Sequence, residues 1–93
     1  MARQKLSDEE ITRKASDLKE WQTANGKLSK HFKFENFDEA LDFVNKVGTI
    51  AEMRDHHPDI KFGWGYAELE VTTHDAGGLT DNDFDLAKSI DAI

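Results

Sequence analysis

The chain contains no cysteine. Disulfides and thiolate metal sites are therefore excluded. No apolar run comes near the ~20 residues that span a bilayer as a helix, so no membrane segment is expected. Basic residues are in deficit: 12 Lys and Arg against 19 Asp and Glu give a formal charge of -7. A surface of that sign repels phosphate, which argues against direct nucleic-acid binding. The opening stretch from Met1 to Ser7 carries Arg3 and Lys5 with no apolar stretch behind them, so it does not read as a secretory signal. A cytoplasmic location is the expectation, and a Cys-free chain suits that reducing compartment.

What remains is enough for one domain of 93 residues. A chain this short is marginally stable alone. With disulfides excluded, self-association is the expected supplement. Hydrophobic residues make up 38%, with two Trp, one Tyr and six Phe. That content favours a folded domain over disorder.

The periodicities divide the chain into five units. Ser7 and Glu10 form a capping box, and Ile11, Ala15 and Leu18 recur at helical spacing. This predicts a helix over about 8–18. Asn25-Gly26 is a hairpin turn signal. Beyond it Leu28, Lys30, Phe32 and Phe34 alternate with Ser29, His31, Lys33 and Glu35, the period of a half-buried strand. A hairpin over about 19–35 follows. Asn36 and Glu39 form a second capping box before an amphipathic stripe of Phe37, Ala40, Leu41, Val44, Val47, Ile50 and Ala51. The helix should run over about 37–54 and has ended by Pro58, the single proline.

Residues 61–73 read as a second hairpin turning near Gly63-Trp64-Gly65. Tyr66, Glu68, Glu70 and Thr72 share one face; Ala67, Leu69, Val71 and Thr73 share the other. After the Gly77-Gly78 loop, Thr80 caps a last helix with Phe84, Leu86, Ala87 and Ile90 as its apolar stripe. The expected fold is α+β, a two-layer sandwich. A four-stranded antiparallel sheet carries helices on one face, in the order β-β-α-β-β-α after a short N-terminal helix.

Three of four histidines bracket the second hairpin: His56-His57 before it and His74 after it. A hairpin brings its ends together, so the three can converge. His56 and His57 also follow the C-terminal end of the long helix, whose dipole favours imidazolium. Imidazole is the side chain that gives and takes protons near neutrality, which suits general acid–base chemistry. Two adjacent histidines in a helix-end loop are also ordinary polar surface, and spacing alone leaves both readings open. A metal site is disfavoured. Adjacent helical residues point ~100° apart, and no His-x-x-x-His spacing is present. His31 falls on a polar strand face and reads as solvated. Asp83, three residues after Thr80, reads first as a capping partner. Trp21 and Trp64 read first as packing residues.

Glu52, His56-His57-Pro58, Trp64, His74 and Asp83, at these intervals, resemble the signature of the pterin-4a-carbinolamine dehydratase family. The segments Asp55-His56-His57-Pro58-Asp59 and Thr73-His74-Asp75-Ala76-Gly77-Gly78-Leu79-Thr80 resemble family sequence as well. The resemblance spans about residues 5–93. It implies dehydration of 4a-hydroxytetrahydropterin to quinonoid dihydropterin, which recycles the cofactor of aromatic amino acid hydroxylases. No cofactor or metal is implied. By resemblance His56 and His74 divide acid and base work, and His57 holds substrate. The pterin would meet Asp55, His56, His57, Thr72, Thr73, His74 and Asp75. Glu52 would orient a histidine or meet the pterin, and Asp83 would orient His74. The family also implies a homodimer joined at sheet edges, with a tetramer through the long helices as the alternative. Two other readings share the fold: a non-catalytic dimerisation module, and a relative acting on another pterin, as in molybdenum-cofactor metabolism.

Overall fold

The computed structural model describes residues 4–93. Met1 to Arg3, part of the segment read above for a secretory signal, lie outside the described residues. The order is α1 (Asp8–Ala15), β1 (Gln22–Ala24), β2 (Lys27–Lys33), α2 (Phe37–Arg54), β3 (Asp59–Gly63), β4 (Tyr66–Val71), a 3-10 turn (His74–Ala76) and α3 (Asp81–Asp91). The strands form one antiparallel sheet in the order β1-β2-β4-β3. This is the expected α+β architecture.

Local chemistry explains most boundaries. Ser7 accepts from the Glu10 N–H, and the Glu10 carboxylate accepts from the Ser7 N–H at 3.1 Å. Helix α1 stops three residues short of the expected end. Asp17 and Leu18 N–H groups bond to the carbonyls of Lys14 and Ala15, tightening the end as 3-10 bonds do. Leu18, 6% exposed, then drops into the core as a turn residue. Asn25 and Gly26 both take positive φ, 54° and 74°, as a two-residue type I′ turn requires.

Helix α2 occupies the span expected. Asn36 accepts from the Glu39 N–H at 2.9 Å. The Glu39 carboxylate reaches the Glu35 N–H, also 2.9 Å away, so the reciprocal half of the expected capping box is shifted by one residue. Strand β3 begins at Asp59, two residues earlier than expected, because Asp59 and Ile60 pair with Glu70 and Leu69.

Alternation along the strands separates two faces. Leu28, Ala67, Leu69 and Val71 are buried, together with Phe43 and Val47 of α2 and Phe84, Leu86, Ala87 and Ile90 of α3. Burial of a side chain of this kind contributes about 1.5–3 kcal/mol. Trp21 joins this core, and its indole N–H donates to Asp91 Oδ2 at 2.9 Å. His31, Asp59, Lys61, Glu68 and Glu70 lie exposed on the opposite face of the sheet. His31 meets Glu68 at 3.5 Å and stacks on Tyr66.

Candidate active site

The long helix ends in a way that aims His56 inward. Asp55 adopts a left-handed conformation, φ 52°, one that short polar side chains tolerate better than most. The His56 N–H then reaches back to the Ala51 carbonyl at 3.1 Å, the longer bond of a Schellman ending. The consequence is a histidine only 6% exposed.

Its partner is Asp83 in the first turn of α3. His56 Nε2 lies 2.6 Å from Asp83 Oδ1, and Asp83 is 0% exposed. A buried carboxylate is costly unless donors surround it. The other oxygen, Oδ2, accepts from the Thr73 hydroxyl at 2.9 Å and the Thr80 N–H at 2.8 Å. The Thr80 hydroxyl lies 2.9 Å from that of Thr73. Among the described residues no buried side-chain polar atom lacks a partner.

His57 and His74 differ in exposure. The His57 ring is half exposed, and its Nε2 is held by the carboxylate of Glu52, in the last turn of α2. His74 opens the 3-10 turn after β4 and is exposed. Thr73, just before it, is bonded to Asp83. The ends of α2 and β4 and the start of α3 therefore meet at one carboxylate.

The sequence-derived roles are redistributed accordingly. Asp83 pairs with His56 and not with His74, because the end of α2 brings His56 under the first turn of α3. The capping reading of Asp83 holds as well, since it receives the Thr80 N–H. Thr73 is 1% exposed and its hydroxyl is committed inward. Thr72 donates to the Gly26 carbonyl at 2.6 Å, tying the end of β4 to the β1–β2 turn. Glu52 stands against His57. Asp55 and Asp75 are exposed beside the histidines in sequence. Trp64, 73% exposed at the β3–β4 turn, is not a packing residue. In the sequence Thr80 shows only its capping role. The Thr80-x-x-Asp83 spacing was the available signal, but it does not reveal a histidine 27 positions upstream.

A hollow of about 810 Å3 includes Ser29, His31, Lys61 and Glu68 in its lining, and none of His56, His57 or His74. Those three histidines stand apart from it. Among the described residues no three His, Cys, Asp or Glu side chains are grouped to hold a metal. No described helix is long and apolar enough to cross a membrane.

Fold and site define a small α+β domain with a buried carboxylate–imidazole pair flanked by two exposed histidines. The family model for pterin 4 alpha carbinolamine dehydratase matches residues 4–93, and the chain belongs to that family. A relative from Picosynechococcus sp., named "Putative pterin-4-alpha-carbinolamine dehydratase", is 48% identical over 89 residues, covering 96% of this chain and 97% of its own. A protein of the same name from Sulfolobus acidocaldarius is 45% identical over 96% of this chain and 98% of its own. Among solved structures, the transcriptional coactivator/pterin dehydratase of Brucella melitensis superposes with a TM-score of 0.91 at 27% identity, covering 95% of this chain and 96% of that one. A pterin dehydratase-like protein identified as a RuBisCO assembly factor in the alpha-carboxysome shares the fold, with a TM-score of 0.65 at 23% identity over 77% of this chain and 83% of its own.

Proposed function

We propose that this chain dehydrates 4a-hydroxytetrahydropterin to quinonoid dihydropterin. In that reaction the C4a–O bond breaks and the N5–C4a double bond forms. Hydroxide is a poor leaving group, so an acid must protonate the 4a-oxygen while a base takes the N5 proton. Water is the only other product. Each proton transfer by a placed imidazole contributes about 10²–10⁴-fold.

The observation that carries the reading is the buried His56–Asp83 pair at 2.6 Å. A carboxylate against one ring nitrogen fixes the tautomer and leaves the other nitrogen for proton exchange. With Nε2 given to Asp83, Nδ1 of His56 is the exchanging atom. His74 supplies the opposite role, so the two histidines divide acid and base work. His57, held by Glu52, grips the substrate, and Asp55, Thr72 and Asp75 complete the polar edge that a pterin requires. The reading extends to recycling of the tetrahydropterin spent by aromatic amino acid hydroxylases in the cytoplasm. It also includes a homodimer joined at sheet edges, which would remove an exposed strand edge.

The test is a dehydration assay in which 4a-hydroxytetrahydropterin is generated in situ and quinonoid dihydropterin is followed by absorbance. His56→Ala and His74→Ala should lower kcat about 10²-fold or more, whereas His57→Ala should chiefly raise KM. A well-folded wild-type protein that gives no acceleration would replace this reading with a binding role or a different pterin.

A further inference from the structure

We propose that the hydroxyls of Thr73 and Thr80 are positioning groups that fix the ring of His56 through Asp83. This rests on the proposed use of His56 in proton transfer. The direction of the chain of bonds follows from proton counting. Each hydroxyl has one proton. Thr73 spends its proton on Asp83 Oδ2 at 2.9 Å. The Thr80 proton then goes to the 2.9 Å contact with the Thr73 hydroxyl, which is much shorter than the 3.4 Å between the Thr80 hydroxyl and Asp83 Oδ2. With the Thr80 N–H at 2.8 Å, Oδ2 is occupied by two donors. Oδ1 alone is left for His56. The carboxylate is thereby held in one rotamer, and the imidazole must present Nε2–H to it.

Burial makes this arrangement discriminating. Thr73, Thr80 and Asp83 are 1%, 2% and 0% exposed, so no water replaces a missing hydroxyl without rearrangement. Thr73 also precedes His74, and its backbone N–H and carbonyl bridge Gly78 at 3.3 Å across the 3-10 turn. The residue that orients Asp83 therefore also anchors the loop that carries His74. One threonine places both proposed proton-transfer residues, a role separate from touching substrate.

Thr73→Val removes the hydroxyl at nearly constant volume, and Thr73→Ser retains it. On protein labelled with 15N-histidine, two-bond 15N–1H spectra at alkaline pH report which ring nitrogen of His56 bears the proton. Wild type and Thr73→Ser should show a single Nε2–H form, and Thr73→Val a mixture. In the dehydration assay Thr73→Val should lose about ten- to a hundredfold in kcat at unchanged KM, with Thr73→Ser restoring it. If Thr73→Val fails to fold, Thr80→Val tests the outer bond of the chain: it keeps the Thr80 N–H on Oδ2 but frees the Thr73 hydroxyl to turn away, so a smaller share of the second tautomer should appear. A single Nε2–H form in the folded valine variant would overturn the proposal, as would a valine variant with only a lowered Tm. Should wild type not dehydrate the pterin, the catalytic reading fails, and the tautomer measurement still decides the positioning role.

Discussion

Replacing Asp83 by asparagine changes one atom and one charge in a side chain that is 0% exposed. The amide oxygen can still accept from Thr73 and from the Thr80 N–H, at 2.9 and 2.8 Å in the parent. Its NH2 group then faces His56 Nε2, where Oδ1 stood 2.6 Å away. Two donors cannot share one proton position. Either the bond is lost or the ring moves its proton to Nδ1. Loss of one hydrogen bond to a charged group costs about 1.5–3 kcal/mol. Asp83→Ala strips the acceptor from all three donors and should cost about 3–5 kcal/mol, as breaking a buried pair does. Against a total of roughly 5–15 kcal/mol, alanine endangers the fold and asparagine does not. Urea unfolding followed by fluorescence reads both, since Trp21 is buried in the core. The asparagine variant should lose far more turnover than stability, because in either case Nδ1 of His56 no longer has a fixed protonation state. An asparagine variant within about 0.5 kcal/mol of wild type and fully active would refute the assignment of Asp83.

Two further predictions concern the frame around the site. A Cβ at Gly63 would lie 2.8 Å from Tyr66 Cε1, so the ring must turn aside and Gly63→Ala should destabilise by at most about 1 kcal/mol, the low end for overpacking. In a Tyr66→Ala background that penalty should vanish; its persistence would assign it to the backbone. Backbone and side-chain bonds from Ser7 hold the Glu10 carboxyl below the usual glutamate range. A depressed carboxylate stabilises the fold above its unfolded pKa, and the contribution is lost as pH falls through the folded value. Glu10→Gln should therefore melt below wild type at pH 7, and the gap should close in acid. An equal gap at pH 7 and pH 3 would contradict the cap.

Legibility in the sequence follows the range of the interaction. Helix α2 was readable because its determinants are local: Asn36 at one end, a continuous apolar stripe, and a chain that turns before Pro58. The Asn25-Gly26 turn was readable for the same reason. The end of α1 was not, because Leu18 leaves the helix for a tertiary contact that spacing cannot show. Among the candidate site residues, Glu52 was expected to orient a histidine and stands against His57, whereas the partner of Asp83 was not readable. Asp83 has the same local signature whether it serves His56, His74 or only the start of α3. The choice was made by the packing of α3 against the end of α2.

The central pairing of the sheet bears on how the molecule comes to exist. Strand β2 lies against β4, with Leu28 opposite Val71 and Lys33 opposite Tyr66. Each hairpin closes over a few residues, but joining them closes a loop that contains all of α2. Loop-closure entropy makes such long-range contacts slow to form. The bonds that join His56, Asp83 and Thr73 link three separate elements, so they are completed with the global fold and not within either hairpin. A nascent chain carrying both hairpins but not yet α3 would have every histidine and no organised site. The His56–Asp83 pair would then form last, once α3 has joined the sheet and the end of α2.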